Sequence, residues 1–230
     1  MRSIVLNTPD HMPPDPVQAP PRRRGRPPKN LDVPRQDTRA QLIRAGVAVL
    51  TEKGYSAVGL DEVLRAVQVP KGSFYHYFDS KEAFGQALIA AYADYFARKL
   101  DRWFLDAATP PLQRLRHFID DAKAGMARHG FKRGCLVGNL GQEMGALPES
   151  FRAQLEHVFL DWQARTAACL AEAQRANDLP AHLDCAALAQ FFWIGWEGAV
   201  LRAKLSQSPD PLDVYAEGFF TLLHHPGPTH

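Results

Sequence analysis

The segment Val69-Pro70-Lys71-Gly72-Ser73-Phe74-Tyr75-His76-Tyr77-Phe78, followed by Asp79-Ser80-Lys81-Glu82, leaves the backbone few choices. Pro70 has a fixed φ and no N–H to lose, which suits a first helical position, so the spacing predicts a nine-residue helix from Pro70 to Phe78. Phe74 and Phe78 fall four apart and share a face that can be buried. Lys71, Ser73, Tyr75 and His76 then point elsewhere, as donors to phosphate oxygens or base edges. Ser80 with Lys81 and Glu82 reads as the cap and first turn of another helix. Upstream, Gly59 to Val67 forms a short helix. Helix, tight turn and second helix make the helix-turn-helix arrangement, whose second helix enters the major groove. The bland alternative is a helical hairpin with solvated Tyr and His.

The run Phe-Tyr-His-Tyr-Phe before Ser-Lys-Glu resembles the signature of TetR-family transcriptional regulators, and the resemblance extends to the helix Asp37 to Lys53 with its Gly54-Tyr55 stop. In that family three N-terminal helices bind operator DNA, and a larger all-helical domain binds a small effector and dimerises. The resemblance implies an all-α homodimeric repressor of about nine helices. Its helix-turn-helix domain would span 36–82 and its effector-binding and dimerisation domain 83–225. Lys71, Gly72, Ser73, Tyr75, His76 and Lys81 would contact DNA. Two positions depart from the family pattern: Gly59 stands where Thr or Ser often caps the second helix, and Gln68 where the turn often has Gly. A positive φ at Gln68 would cost about 1 kcal/mol.

Residues 1–35 hold seven Arg or Lys against three Asp, a net +4 that leaves −2 for the remainder of a chain totalling +2. Nine of the 18 prolines fall between Pro9 and Pro34, without helical or alternating periodicity. The expectation is a disordered basic arm over 1–35. Within it, Arg22-Arg23-Arg24-Gly25-Arg26-Pro27-Pro28-Lys29 resembles an AT-hook, in which Arg24 and Arg26 would enter a narrow A/T minor groove. A solubilising leader with general phosphate affinity is the competing reading. The longest uncharged apolar run, Cys185 to Trp196, is far below the roughly 18 residues that cross a bilayer, and the N-terminus lacks a compact apolar core. A soluble cytoplasmic protein is expected. Cys135, Cys169 and Cys185 lack C-x-x-C spacing, so free thiols are the default.

Beyond Glu82 the chain reads as helices separated by Pro or Gly breaks: Ala83 to Leu105, Pro110-Pro111 to about His129, Pro148 to about Ala176, Asp184 to Leu205, and Pro211 to near His224. Between the second and third of these lies Arg133-Gly134-Cys135-Leu136-Val137-Gly138-Asn139-Leu140-Gly141-Gln142-Glu143. As a helix it carries Cys135, Asn139, Gln142 and Glu143 on one stripe that would line a cavity. Gly138 and Gly141 each weaken it by about 1 kcal/mol, which makes it a plausible moving part.

This stretch, together with Phe192-Trp193-Ile194-Gly195-Trp196-Glu197-Gly198-Ala199, resembles TetR-family repressors that respond to acrylate, and more distantly electrophile-sensing members of that family. The resemblance implies an effector site drawn from Cys135, Asn139, Glu143, Trp162, Trp193, Trp196, Glu197 and Lys204. It also implies a near-palindromic operator. Acrylate is a Michael acceptor and a thiolate is the attacking species, so Cys135 is either a covalent sensor activated by Lys204 or Arg133, or the neighbour of a reversibly bound acid. For the reversible case Arg133, Lys204 or Arg202 would pair with the carboxylate. No Gly-x-Ser-x-Gly, Walker A or His-Glu-x-x-His motif supports an enzyme, and neither cofactor nor metal is called for. An effector-independent DNA-binding protein is a further alternative.

Overall fold

A computed structural model describes residues 35–224, all of whose regular elements are helices. Arg24 and Arg26 lie outside the described residues. α1 (Arg35–Lys53) ends where Gly54 takes φ +80° and donates its N–H to Leu50 O. α2 (Leu60–Ala66) starts from Gly59, an extended residue with no side chain to cap it. The turn after it needs a left-handed residue and uses Gln68, at φ +56°.

α3 (Lys71–Phe74) has four residues, not the nine the spacing predicts, and Pro70 precedes it in extended conformation as the N-cap. After Phe74 the chain tightens: His76 N–H bonds to Ser73 O and Tyr77 N–H to Phe74 O, both i→i+3. The reason is downstream. Ser80 must be extended, φ −155° and ψ 167°, for its Oγ to accept the Ala83 N–H and cap α4 (Lys81–Phe104). That leaves no room for another regular turn. The aromatic anchors keep their places even so, since Phe74 and Phe78 are buried and pack against Phe84 at 5.5 and 4.7 Å.

α4 continues from Phe84 and Leu88, under α1, to Phe96 and Leu100, among the helices that follow. Those are α5 (Pro111–Ala127), α6 (Leu136–Gln142), α7 (Ser150–Arg175), α8 (Cys185–Ser206) and α9 (Asp210–His224). Pro111 opens α5, and Asp184 Oδ1 caps α8 by accepting from Ala186 and Ala187. α7 packs between α4 and α8. Its Trp162 lies 4.3 Å from Phe96 and 4.9 Å from Trp193, so the wide core is filled by aromatics. Trp193 donates to Thr166 Oγ1, which donates in turn to Trp162 O. Buried Arg114 ties the turn before α5 by donating to Phe104 O and Thr109 O while pairing with Glu172 at 2.7 Å.

Tyr215 of α9 lies so close over Gly195 of α8 that a Cβ there would be 2.2 Å from its ring. On the outer side of these two helices Phe191, Ile194, Val214 and Leu222 are exposed. Among the described residues no helix is long and apolar enough to cross a membrane.

Candidate effector cavity and DNA-contacting face

On α3 and the turn after it, Lys71, Gly72, Tyr75 and His76 share an exposed surface, with Ser73 half-buried. Nothing lies within 4 Å of a Cβ placed on Gly72, so that surface is open. Lys71 forms an exposed ion pair with Asp61 at 3.2 Å, which a phosphate would readily displace. Lys81 faces elsewhere: its Nζ donates to Val58 O at 3.0 Å and lies 4.5 Å over the Tyr55 ring, so it braces the domain instead of sharing that surface.

A cavity of about 280 Å³ opens between α1, α4, α5 and α8, beside the residues that lead into α6. Aromatic and apolar groups line its depth, Tyr92, Phe96, Met126, Trp196 and Val200, together with Cys135. Cations gather on its wall, Arg44 of α1, Lys99 of α4, and Arg128 and Arg133 from the end of α5 and beyond, with the His129 imidazole beside them. Glu197 is the acidic group in this lining. Burial pushes its carboxyl up to about 7, and the Cys135 thiol opposes this as a hydrogen-bond partner.

Cys135 caps α6, its Sγ accepting the Gly138 N–H at 3.4 Å. Burial, and then Glu197, push its thiol well above the usual cysteine range. Lys204 interacts with Cys135 electrostatically without hydrogen-bonding it, and burial outweighs that influence on the thiol. Lys204 Nζ donates to Glu52 O at 3.4 Å and to Asn139 Oδ1 at 3.3 Å, and burial lowers its own pKa. Arg133 pairs with Glu52 at 3.7 Å.

Of the effector residues read from the sequence, the structure brings Cys135, Trp196 and Glu197 together in the cavity. Trp162 and Trp193 stand behind it as core, without reaching the lining. Asn139 and Glu143 face α1 instead. Asn139 Nδ2 donates to Leu50 O and Thr51 O, and the Glu143 carboxylate accepts from Tyr55 N and Ser56 N. The polar stripe on α6 was legible, but its target is backbone: carbonyls in the last turn of α1 and amides of the loop that follows it. Arg202 sits in the groove between α8 and α9, away from the cavity. The reading missed Tyr92, Lys99, Arg128 and His129. Lys99 leaves one trace, a cation seven residues after Tyr92 on the apolar stripe of α4.

A family model described as "Bacterial regulatory proteins, tetR family" matches residues 42–88, and one described as "Tetracyclin repressor-like, C-terminal domain" matches residues 111–219. Transcriptional regulator AcuR of Cereibacter sphaeroides is 58% identical over 94% of this chain and 94% of its own length. The HTH-type transcriptional repressor NemR of Escherichia coli K12 is 30% identical, over 77% of this chain and 89% of its own. The crystal structure of regulatory protein TetR from Rhodobacter sphaeroides superposes with a TM-score of 0.78 at 62% identity, covering 79% of this chain and 96% of that one. The chain belongs to the TetR family of bacterial regulatory proteins. It is a ligand-responsive, DNA-binding transcriptional repressor and not an enzyme. Regulators of this family bind operator DNA and small effectors as dimers.

Proposed function

We propose that this repressor releases a near-palindromic operator when a small unsaturated acid of the acrylate type occupies the cavity beside Cys135 and Trp196. The carrying observation is that Arg128, Lys99 and Arg133 line a cavity whose other lining is largely aromatic and apolar. A carboxylate would bind Arg128 and compete with Asp121 and Glu52 for the other two while the vinyl end meets Tyr92 and Trp196. The sequence resemblance to acrylate-responsive members agrees with this chemistry. Occupancy would move Cys135, and with it α6, whose Asn139 and Glu143 hold the end of α1 and the loop into α2. A coupling of about 1–3 kcal/mol, 5- to 150-fold, is enough to switch a promoter.

Two copies joined through the exposed apolar sides of α8 and α9 would set their α3 surfaces in half-sites about one helical turn apart. Arg24 and Arg26 would add minor-groove contacts at A/T flanks. Truncating residues 1–30 would then remove A/T preference as well as strength. DNA binding implies a cytoplasmic protein.

The test is fluorescence anisotropy of the purified protein on the DNA upstream of its own gene, titrated with acrylate and then with N-ethylmaleimide. Release by acrylate that dialysis reverses supports the reading. Release only by the maleimide, irreversible on dialysis, would make Cys135 a covalent sensor. Persistent binding with both would favour an effector-independent protein.

A further inference from the structure

Glu197 follows Trp196 on α8, and its carboxyl occupies the space over Gly138, where a Cβ would lie 1.9 Å from Oε2. Any side chain at position 138 would push the carboxyl away. Across that glycine it faces the Cys135 thiol closely enough that each group shifts the other's pKa. No Lys, Arg or His among the described residues pairs with it. The charged groups of the surrounding elements are placed otherwise: Lys99 of α4 pairs with Asp121 at 3.3 Å, Arg133 with Glu52, and Lys204 with the Glu52 carbonyl and Asn139. Arg44, Arg128 and His129 line the cavity without bonding it, and Tyr92 presents a phenol that burial keeps protonated. An acid entering this space meets, besides the cations of the lining, a Glu197 carboxyl with no ion-pair partner of its own.

We propose that Glu197 decides the charge state in which the cavity accepts its effector: a small monocarboxylate enters with one proton, so that the two carboxyl groups carry a single negative charge. This rests on the acid reading above and extends it. Ligand and Glu197 share one cavity of about 280 Å³, and a like charge brought into the same small space opposes ionisation of both carboxyls. The ligand also displaces the water that would have solvated Glu197. In the empty site burial already holds this carboxyl at about 7, and a bound anion raises it further. Protons are therefore taken up between the empty-site and the occupied-site values. Affinity is level below about pH 7 and falls by up to about tenfold per pH unit above it. A dicarboxylate would need a second proton and is disfavoured, whereas a neutral amide of the same shape needs none.

The experiment is calorimetric binding of acrylate and of acrylamide to the full-length protein and its Glu197→Gln variant. It runs from about pH 6 to about pH 9, in buffers of different ionisation heat that count the protons exchanged. Wild type should bind acrylate with uptake of close to one proton above pH 7, while acrylamide binding stays level. Glu197→Gln should bind acrylate with no uptake and more tightly than wild type at the alkaline end, a gain that misfolding cannot produce. A level wild-type acrylate profile, or a variant that keeps the wild-type slope, overturns the proposal and leaves the acid reading standing. Absence of acrylate binding at every pH overturns both.

Discussion

The Glu143 carboxylate at the end of α6 accepts the Ser56 N–H at 2.7 Å and the Tyr55 N–H at 3.1 and 3.2 Å, so α6 holds the loop leading into the helix-turn-helix through backbone amides. Gly54 makes this possible, because a Cβ there would meet Glu143 Oε1 at 1.8 Å. With Asn139 on the last carbonyls of α1, α6 adds a link between Cys135 at the cavity and the helix-turn-helix, beside α1 and α4, which line the cavity directly.

Glu143→Ala should weaken that link more than it weakens the fold. The Ser56 amide is exposed and the Tyr55 amide part-buried, so urea denaturation should show a loss of about 1–2 kcal/mol. Effector-driven release from operator, read by anisotropy, should need more ligand or fail. An unchanged response would remove this loop from the signal path.

Cys135 should be a slow thiol in the resting protein. Burial and Glu197 raise its pKa, so at neutral pH little thiolate is present. Alkylation by N-ethylmaleimide, followed by mass spectrometry, should lag behind glutathione at pH 7 and go on accelerating past the usual cysteine pKa. Cys135→Ser should retain acrylate-driven release. Rapid alkylation at neutral pH would contradict the resting geometry.

Gln68→Gly should stabilise the protein. At φ +56° a side chain costs what glycine does not, less the backbone freedom glycine has in the unfolded chain, a net gain of roughly 0.5 kcal/mol in thermal denaturation. A loss of stability would show that the Gln68 side chain contributes more than its backbone strain costs.

Thr166→Val keeps shape and removes the acceptor of the buried Trp193 N–H, for a cost of about 1–3 kcal/mol by denaturant unfolding. Operator affinity of the folded fraction should not change. A variant as stable as wild type would mean that water replaces the hydroxyl.

Lys71→Ala should weaken binding to all DNA sequences alike and reduce the salt slope by about 0.9 per subunit. Tyr75→Ala, removing an exposed aromatic from the same surface, should also alter operator preference. Equal losses of specificity from both would show that Lys71 reads bases too.

Helix starts were legible because capping is local: Ser80, Asp184 and Pro110-Pro111 announce α4, α8 and α5 within a few residues. The length of α3 was not, since Phe74 and Phe78 keep a four-residue spacing whether the last turn is regular or tightened by the Ser80 cap. In the cavity, Cys135, Trp196 and Glu197 came from resemblance and unusual composition. Tyr92 and Phe96 could not be told from core, because one periodicity serves both a packed stripe and a hollow one.

The order of helices, the buried Phe74 and Phe78 and the strained position at Gln68 follow from the sequence itself, since each depends on backbone preferences or on spacing along one helix. Which polar groups face the cavity and which face α1 depends on how helices far apart in the chain pack. Gly138 against Glu197, Gly54 against Glu143, and Lys204 against Asn139 are contacts between elements, and only the tertiary structure decided them.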